Sequence, residues 1–292
     1  EGMKNTKGET LQKKSQLAVL WKRLCQSPSA MIGMVVFGAL VILAVGAPWI
    51  APYDYAKLDV LQANQGPSWQ HLCGTDQVGR DIFSRLLYGA RYSLTLGICA
   101  TLLGTVVGMF FGALAGYFGG VVDEVIMRFT DVIQSIPGMV LNVAVACAIG
   151  TGFWKCILVL AIGGITGAAR MLRAQIMQIR SMEYIEAASV TNCSSAKVIL
   201  KHLIPNSFAP MIVSMTMQVG GNIMAAASLA YLGLGVAPPT PEWGAMLSEG
   251  RDYLAKYPWM CIFPGVMIMI TVLSLNLFGD GLRDALDPKQ KK

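Results

Sequence analysis

The sequence predicts an all-α integral membrane protein with six transmembrane helices, and three observations carry that prediction. Of its 292 residues, 54% are hydrophobic and only 14% charged, where soluble domains carry about 25% charged residues. The mean hydropathy is +0.53. Six apolar runs of the length a hydrocarbon core requires, roughly 20 residues or more, fall at 31–50, 93–117, 126–150, 156–176, 208–235 and 259–279.

The elements follow in order. Glu1-Gly2 ahead of Met3 reads as a remnant of cloning. Residues 1–30 form a basic cytoplasmic tail, and 31–50 form the first span, which lacks a small-residue cleavage site and reads as an anchor, not a removed signal. Residues 51–91 make an extracytoplasmic loop. It closes on "GTDQVGRDIFSRLLYGAR" (74–91), whose Ile82, Phe83, Leu86 and Leu87 fit one apolar face, so an interfacial amphipathic helix is expected in preference to a solvated loop. The five remaining spans occupy 92–279. The second carries Gly104, Gly108, Gly112 and Gly116 four residues apart, with Gly120 just beyond. Such a ridge of small residues lets membrane helices approach closely.

Between the fourth and fifth spans the chain turns polar over 181–205. Ser181 is placed to cap a helix whose first turn holds Glu183 and Glu186, where the dipole favours acids. Ala187, Ala188 and Ser189 offer a small-residue face that another surface can approach. Asn192 tolerates the left-handed conformation that stops a helix. A second helix starts near Ser194, with Ala196, Ile199, Leu200 and Leu203 on one stripe, and Pro205 ends it. A plain link between spans has no need of so long a double helix, and a docking element for a partner fits better.

In the fifth span Ser214, Gln218 and Asn222 recur every four residues. Polar groups in a membrane face protein or water, so this stripe either lines a translocation path or bonds to a neighbouring helix. The loop 236–258 is stiffened by Pro238, Pro239 and Pro241, and Trp243, Tyr253, Tyr257 and Trp259 suit the membrane–water boundary. Residues 280–292 form a short charged cytoplasmic tail.

Basic residues orient the chain. With both termini inside, 16 Lys and Arg fall on the cytoplasmic side and 7 outside, among the latter Arg80, Arg85 and Arg91 of the 74–91 segment. The net charge of +6 follows from this bias and gives no sign of nucleic-acid binding. Asp131 and Asp280 lie near span ends, and the mid-bilayer sequence holds no acid, Lys, Arg or His. That disfavours a stand-alone channel or ion-coupled carrier, which usually needs ionisable or unwound midplane sites. There is no GxxxxGK[ST] phosphate loop, so the chain binds no ATP or Mg itself. It holds no hydrolytic constellation. His71 and His202 fall on opposite sides and cannot share a metal. The seven cysteines are odd in number, and only Cys73 sits well apart from the spans in the first large loop, so no disulfide framework is expected.

"EAASVTNCSSAKVILKHLIPN" (186–206) resembles the EAA signature of membrane subunits of bacterial ABC importers, in which Glu-Ala-Ala is followed by Gly and then Ile/Leu-Pro. Those positions are Glu186, Ala187, Ala188, Asn192 (in place of Gly), Ile204 and Pro205. The segments 74–91, "MRFTDVIQSIPGMVL" (127–141), "LGLGVAPPTPEWGAMLSEGRDYL" (232–254) and "FGDGLRDALDP" (278–288) are similar to the C-type permease subunit of dipeptide/oligopeptide/nickel importers. The resemblance implies the type I importer permease fold in the cytoplasmic membrane. It implies a homologous second permease forming a heterodimer with this chain, two ATP-binding subunits that hold ATP and Mg, and an extracytoplasmic substrate-binding protein meeting the 236–258 face. Tyr184, Glu186, Ala187, Ala188, Asn192 and Pro205 would form the coupling helix seated in an ATPase groove. The cargo it implies is a peptide, or alternatively nickel, glutathione or another small solute.

Overall fold

The computed structural model describes residues 16–182 and 194–286, and no strand occurs among them. The helices are α1 (Gln16–Gln26), α2 (Pro28–Ile50), α3 (Ile82–Phe118), α4 (Gly120–Ser135), α5 (Gly138–Ile149), α6 (Phe153–Arg180), α7 (Ser195–Tyr231), α8 (Trp243–Gly250) and α9 (Trp259–Leu286). Five of them, α2, α3, α6, α7 and α9, are long and apolar enough to cross a membrane. The bent pair α4–α5 makes a sixth membrane segment if counted as one.

The expected interfacial helix before the second span does not exist as a separate element. Residues 82–91 are the first turns of α3, a continuous helix of 37 residues, about 55 Å long at 1.5 Å per residue and so longer than a bilayer core is thick. The Asp81 carboxylate caps it, accepting from Ser84 N and Ser84 Oγ at 2.7 Å each. Ile82, Leu86 and Leu87 are buried against the protein and do not lie on lipid. The third expected span is likewise broken, with α4 and α5 meeting at 91° across Ile136-Pro137. Pro137 has no N–H to continue a helix and biases Ile136 to an extended backbone, observed at φ −90°, ψ 128°.

The glycine ridge of α3 works as its spacing predicts. A Cβ at Gly104, Gly108 or Gly112 would stand 2.4–2.7 Å from the carbonyl oxygens of Ala161, Ile165 and Ala169. These contacts lock α3 to α6 in parallel, backbone against backbone. Gly116 continues the ridge against Ile176, whereas Gly120 lies beyond it, as the first residue of α4. On the other side of the bundle Gly33 of α2 lies against Ser274 of α9, where a Cβ would come within 2.5 Å of its carbonyl oxygen.

All these spans leave two ends. One, the tail end, gathers α1, the starts of α2 and α7, and the ends of α3, α6 and α9. The loop end gathers residues 51–81, α8 and the opposite helix termini. The expected charged tail from 280 is, as far as Leu286, the last turns of α9. Leu282 and Ala285 there are buried with Leu24 of α1.

Candidate functional site

At the tail end, five of the coupling residues drawn from the resemblance (Tyr184, Glu186, Ala187, Ala188 and Asn192) lie outside the described residues. The structure shows what borders them. Ser181, expected to open a helix, instead closes α6, where its hydroxyl donates to Gln178 O at 3.3 Å. Ser194, extended at φ −61°, ψ 145°, opens α7. Beneath both ends lies one apolar cluster. Ala113 of α3, Leu172 and Ile176 of α6, and Val198, Leu203 and Met211 of α7 are all buried in it. The expected stripe through Leu200 is corrected, since Leu200 is exposed and Val198 takes the inward place.

Pro205 does not end its helix. Residues Ile199–Leu203 form a π-turn, and α7 runs through Pro205 without a break. The wider turn accommodates the ring, and side chains take up nearby carbonyls: Asn206 Nδ2 donates to His202 O at 2.6 Å and Ser207 Oγ to Leu203 O at 2.9 Å. On the flank of this end Arg170 pairs with Asp131 at 2.7 Å, and Arg173 Nε and Nη2 donate to the Asp123 carboxylate, tying α4 to α6.

The polar stripe of α7 divides. Asn222 is 3% exposed. Its Nδ2 donates to Thr101 Oγ1 at 3.0 Å, and that hydroxyl donates to Gly97 O at 2.8 Å, so Asn222 bonds α7 to α3. Gln218 Nε2 donates to Asn222 Oδ1 at 3.2 Å from an exposed position, and Ser214 is exposed one turn earlier. Ser214 and Gln218 thus stand on an open face of the chain, steadied from behind by Asn222.

At the loop end the structure assembles a polar cluster that joins residues far apart in the sequence. In "GTDQVGRD" the Asp76 Oδ1 accepts from the backbone N–H groups of Val78 and Arg80, at 3.0 and 2.9 Å. Gly79 sits at φ +79° with Asp59 O where a side chain would be, a conformation and a closeness only glycine tolerates. Asp76 Oδ2 accepts from Arg80 Nε and Arg85 Nη1, both at 2.6 Å. Glu249 of α8 accepts from Arg80 Nη2 at 2.7 Å and Arg85 Nη1 at 2.8 Å. Two arginines that look anomalous on the outer side are therefore neutralised in place by two acids.

The second anchor of α8 is Glu242, its N-cap. It accepts from Ala245 N at 2.8 Å and from Ser93 Oγ of α3 at 3.0 Å. Burial pushes its carboxyl up, and the Gly244 and Ala245 N–H groups and the Ser93 hydroxyl oppose the rise. Trp243, expected at the membrane boundary, is wholly buried, with Nε1 donating to Leu86 O at 3.0 Å. His71 is also interior, its Nδ1 2.8 Å from Asp81 Oδ1 and its Nε2 2.6 Å from Gln62 Oε1. Burial and the Asp81 carboxylate push the neighbouring Cys73 thiol up to about 11. No group of side chains suited to a metal occurs among the described residues.

This arrangement is a membrane bundle with a buried polar cluster at one end and an apolar cluster between the end of α6 and the start of α7 at the other. The comparisons with known proteins agree with it. The family described as "Binding-protein-dependent transport system inner membrane component" matches residues 108–292, and the "N-terminal TM domain of oligopeptide transport permease C" matches residues 15–67. A glutathione transport system permease protein, GsiD of Escherichia coli, is 43% identical over 272 residues, 93% of this chain and 90% of that protein. The dipeptide transport system permease protein DppC of Alkalihalophilus pseudofirmus is 38% identical over 93% of this chain and 89% of its own length. In fold, the inward-facing MetNI methionine ABC transporter matches with a TM-score of 0.58 at 19% identity, over 70% of this chain and 98% of that one. The chain belongs to the inner membrane components of binding-protein-dependent transport systems, as a multi-pass permease subunit of an ABC importer.

Proposed function

We propose that this subunit forms half of the translocation pathway of an ATP-driven importer of short peptides. In this reading both termini are cytoplasmic, a homologous permease completes the pathway, two ATPase subunits bind ATP and Mg, and an extracytoplasmic binding protein delivers cargo at the loop end. The observation that carries the reading is the open face of α7, where Ser214 and Gln218 stand exposed within a span. Polar groups at that depth are placed for water or protein, not lipid, and an uncharged wall suits peptides whose side chains vary in charge. Relatives named for dipeptide and glutathione transport support a peptide cargo, with glutathione the alternative.

Coupling passes through 181–205, with Tyr184, Glu186, Ala187, Ala188 and Asn192 contacting the ATPase. A push there reaches Val198 and Leu203, whose burial against Leu172 and Ile176 carries it into α3, α6 and α7. The test is purification from the native membrane in mild detergent. Two ATPases and a second permease should accompany the wild type, and Glu186→Ala/Ala188→Trp should lose the ATPases while keeping the permease. A complex indifferent to that double change contradicts the coupling assignment.

A further inference from the structure

The spans α7 and α9 pack side by side in opposite directions. A Cβ on Gly220 would stand 3.5 Å from Val272 Cγ1, and one on Gly279 3.2 Å from Met217 Cγ. Between those two contacts, Asn276 of α9 comes level with Gln218 of α7. An open groove of about 540 Å³ runs between the helices and reaches Leu247 of α8 at the loop end. Met224 and Ser228 form one wall, and Met269, Leu273 and Asn276 the other. That volume falls within the range of small-ligand sites, about 300–1,000 Å³. The exposed Gly221 lies three residues from both Gln218 and Met224, so the groove continues into the open face of α7.

No charged side chain lines this groove. The other polar side chains of that stretch of α9 turn back on its own backbone: Thr271 Oγ1 donates to Met267 O at 2.7 Å, and Ser274 Oγ to Thr271 O at 2.8 Å. Asn276 is exposed, and its amide has no partner among the described residues. An amide within a span needs polar company. It carries one acceptor and two donors, which match the N–H and C=O of a peptide group whatever residue bears it. A neighbouring helix spends its backbone groups on its own ladder, while a short extended peptide has them free. Met224 and Met269 are 54% and 59% exposed, and flexible thioether chains adapt to side chains of different shape.

We infer that the α7–α9 groove is a cargo subsite for one unit of an extended peptide, with Asn276 bonded to its N–H and C=O and Met224, Met269 and Leu273 receiving the adjoining side chain. The inference rests on the transport reading above and adds to it the groups that select the cargo. Asn276 reads the backbone, which every peptide shares, and the methionines admit side chains that vary. Loss of one such hydrogen bond weakens binding about two- to tenfold.

The test is uptake of trialanine and of Ala-Phe-Ala by the complete importer in proteoliposomes, supplied with its binding protein. Asn276→Leu should lower uptake of both peptides, about two- to tenfold. Met269→Trp narrows the groove and should lower the ratio of Ala-Phe-Ala to trialanine uptake about tenfold against the wild type. Selection by the binding protein cancels in that comparison. Both side chains are exposed, so both variants should assemble and melt as the wild type does. Unchanged uptake by Asn276→Leu, or an unchanged ratio in Met269→Trp, overturns the subsite. Gln218→Leu then separates the two readings: it stays impaired if the path reading stands, and transports normally if that reading falls as well. Loss of the second permease from either variant means that a permease helix fills the groove, which also overturns the inference.

Discussion

Glu242 shows how much structure one carboxylate holds at the residue scale. It caps α8, fixes the Ser93 hydroxyl of α3, and through the Ser93 contact to Trp243 N, at 3.1 Å, helps seat the buried indole. Replacing it with Ala leaves the Ala245 N–H without its acceptor and should cost about 1–2 kcal/mol. Its pKa is raised from 4.5 in the fold, so the folded chain holds this proton more tightly than the unfolded chain. Ionisation therefore costs stability as pH rises from 4.5 through the raised value, and the loss persists above it. Glu242→Gln keeps an acceptor and carries no charge. Melting curves of the purified chain from pH 4 to 8 should show a shallower decline for that variant than for the wild type. The ion cluster gives a second prediction at this scale. Arg85→Met leaves Asp76 and Glu249 facing one arginine and should destabilise by about 3–5 kcal/mol, read as a large drop in melting temperature. Arg91, which is exposed, should tolerate the same change. From sequence the three arginines look alike, because the acids that distinguish them are partly remote: Glu249 comes 164 residues after Arg85.

Among the elements, the close approach of α3 to a neighbour was the most legible in the sequence, because a spacing of four in glycine is a local signal of close helix approach, although the sequence did not say that the neighbour is α6. Its consequence is measurable. Gly108→Ala pushes a Cβ to 2.4 Å from Ile165 O and should cost about 1–3 kcal/mol by overpacking. Gly167→Ala on α6 meets nothing within 4 Å and should be neutral or stabilising by up to about 1 kcal/mol. Thermal aggregation of the two variants in detergent compares them directly. The elements that sequence reading missed have a common cause. Hydropathy reads 126–150 as one span because the residues are apolar throughout, but it does not see the direction change at Ile136-Pro137. It also cuts α3 short at the loop end, where the polar residues that hydropathy rejects are the ones buried in ion pairs and caps. Pro205 misleads in the opposite way, since a π-turn absorbs it and the helix continues.

On the scale of the whole molecule, α7 is the element that joins the two ends. It begins in the apolar cluster at the end of α6, carries Ser214 and Gln218 on its open face, and ends near α8, where Gly244 lies against Ala227. The fold class and the family were legible from composition and from motifs. The division of the polar stripe into a bonded Asn222 and an exposed Gln218 was not, because a period of four places them together and only the position of Thr101 on α3 separates them. That division makes the translocation claim testable in one comparison of peptide uptake by the reconstituted importer. Gln218→Leu removes only the donor to Asn222 Oδ1 and should lower uptake with assembly intact and a stability loss of no more than about 1 kcal/mol, while Asn222→Leu removes the bond that ties α7 to α3 and should lower stability more, by about 1–3 kcal/mol. Unchanged uptake by a stable, fully assembled Gln218→Leu importer would contradict the account that this face lines the path.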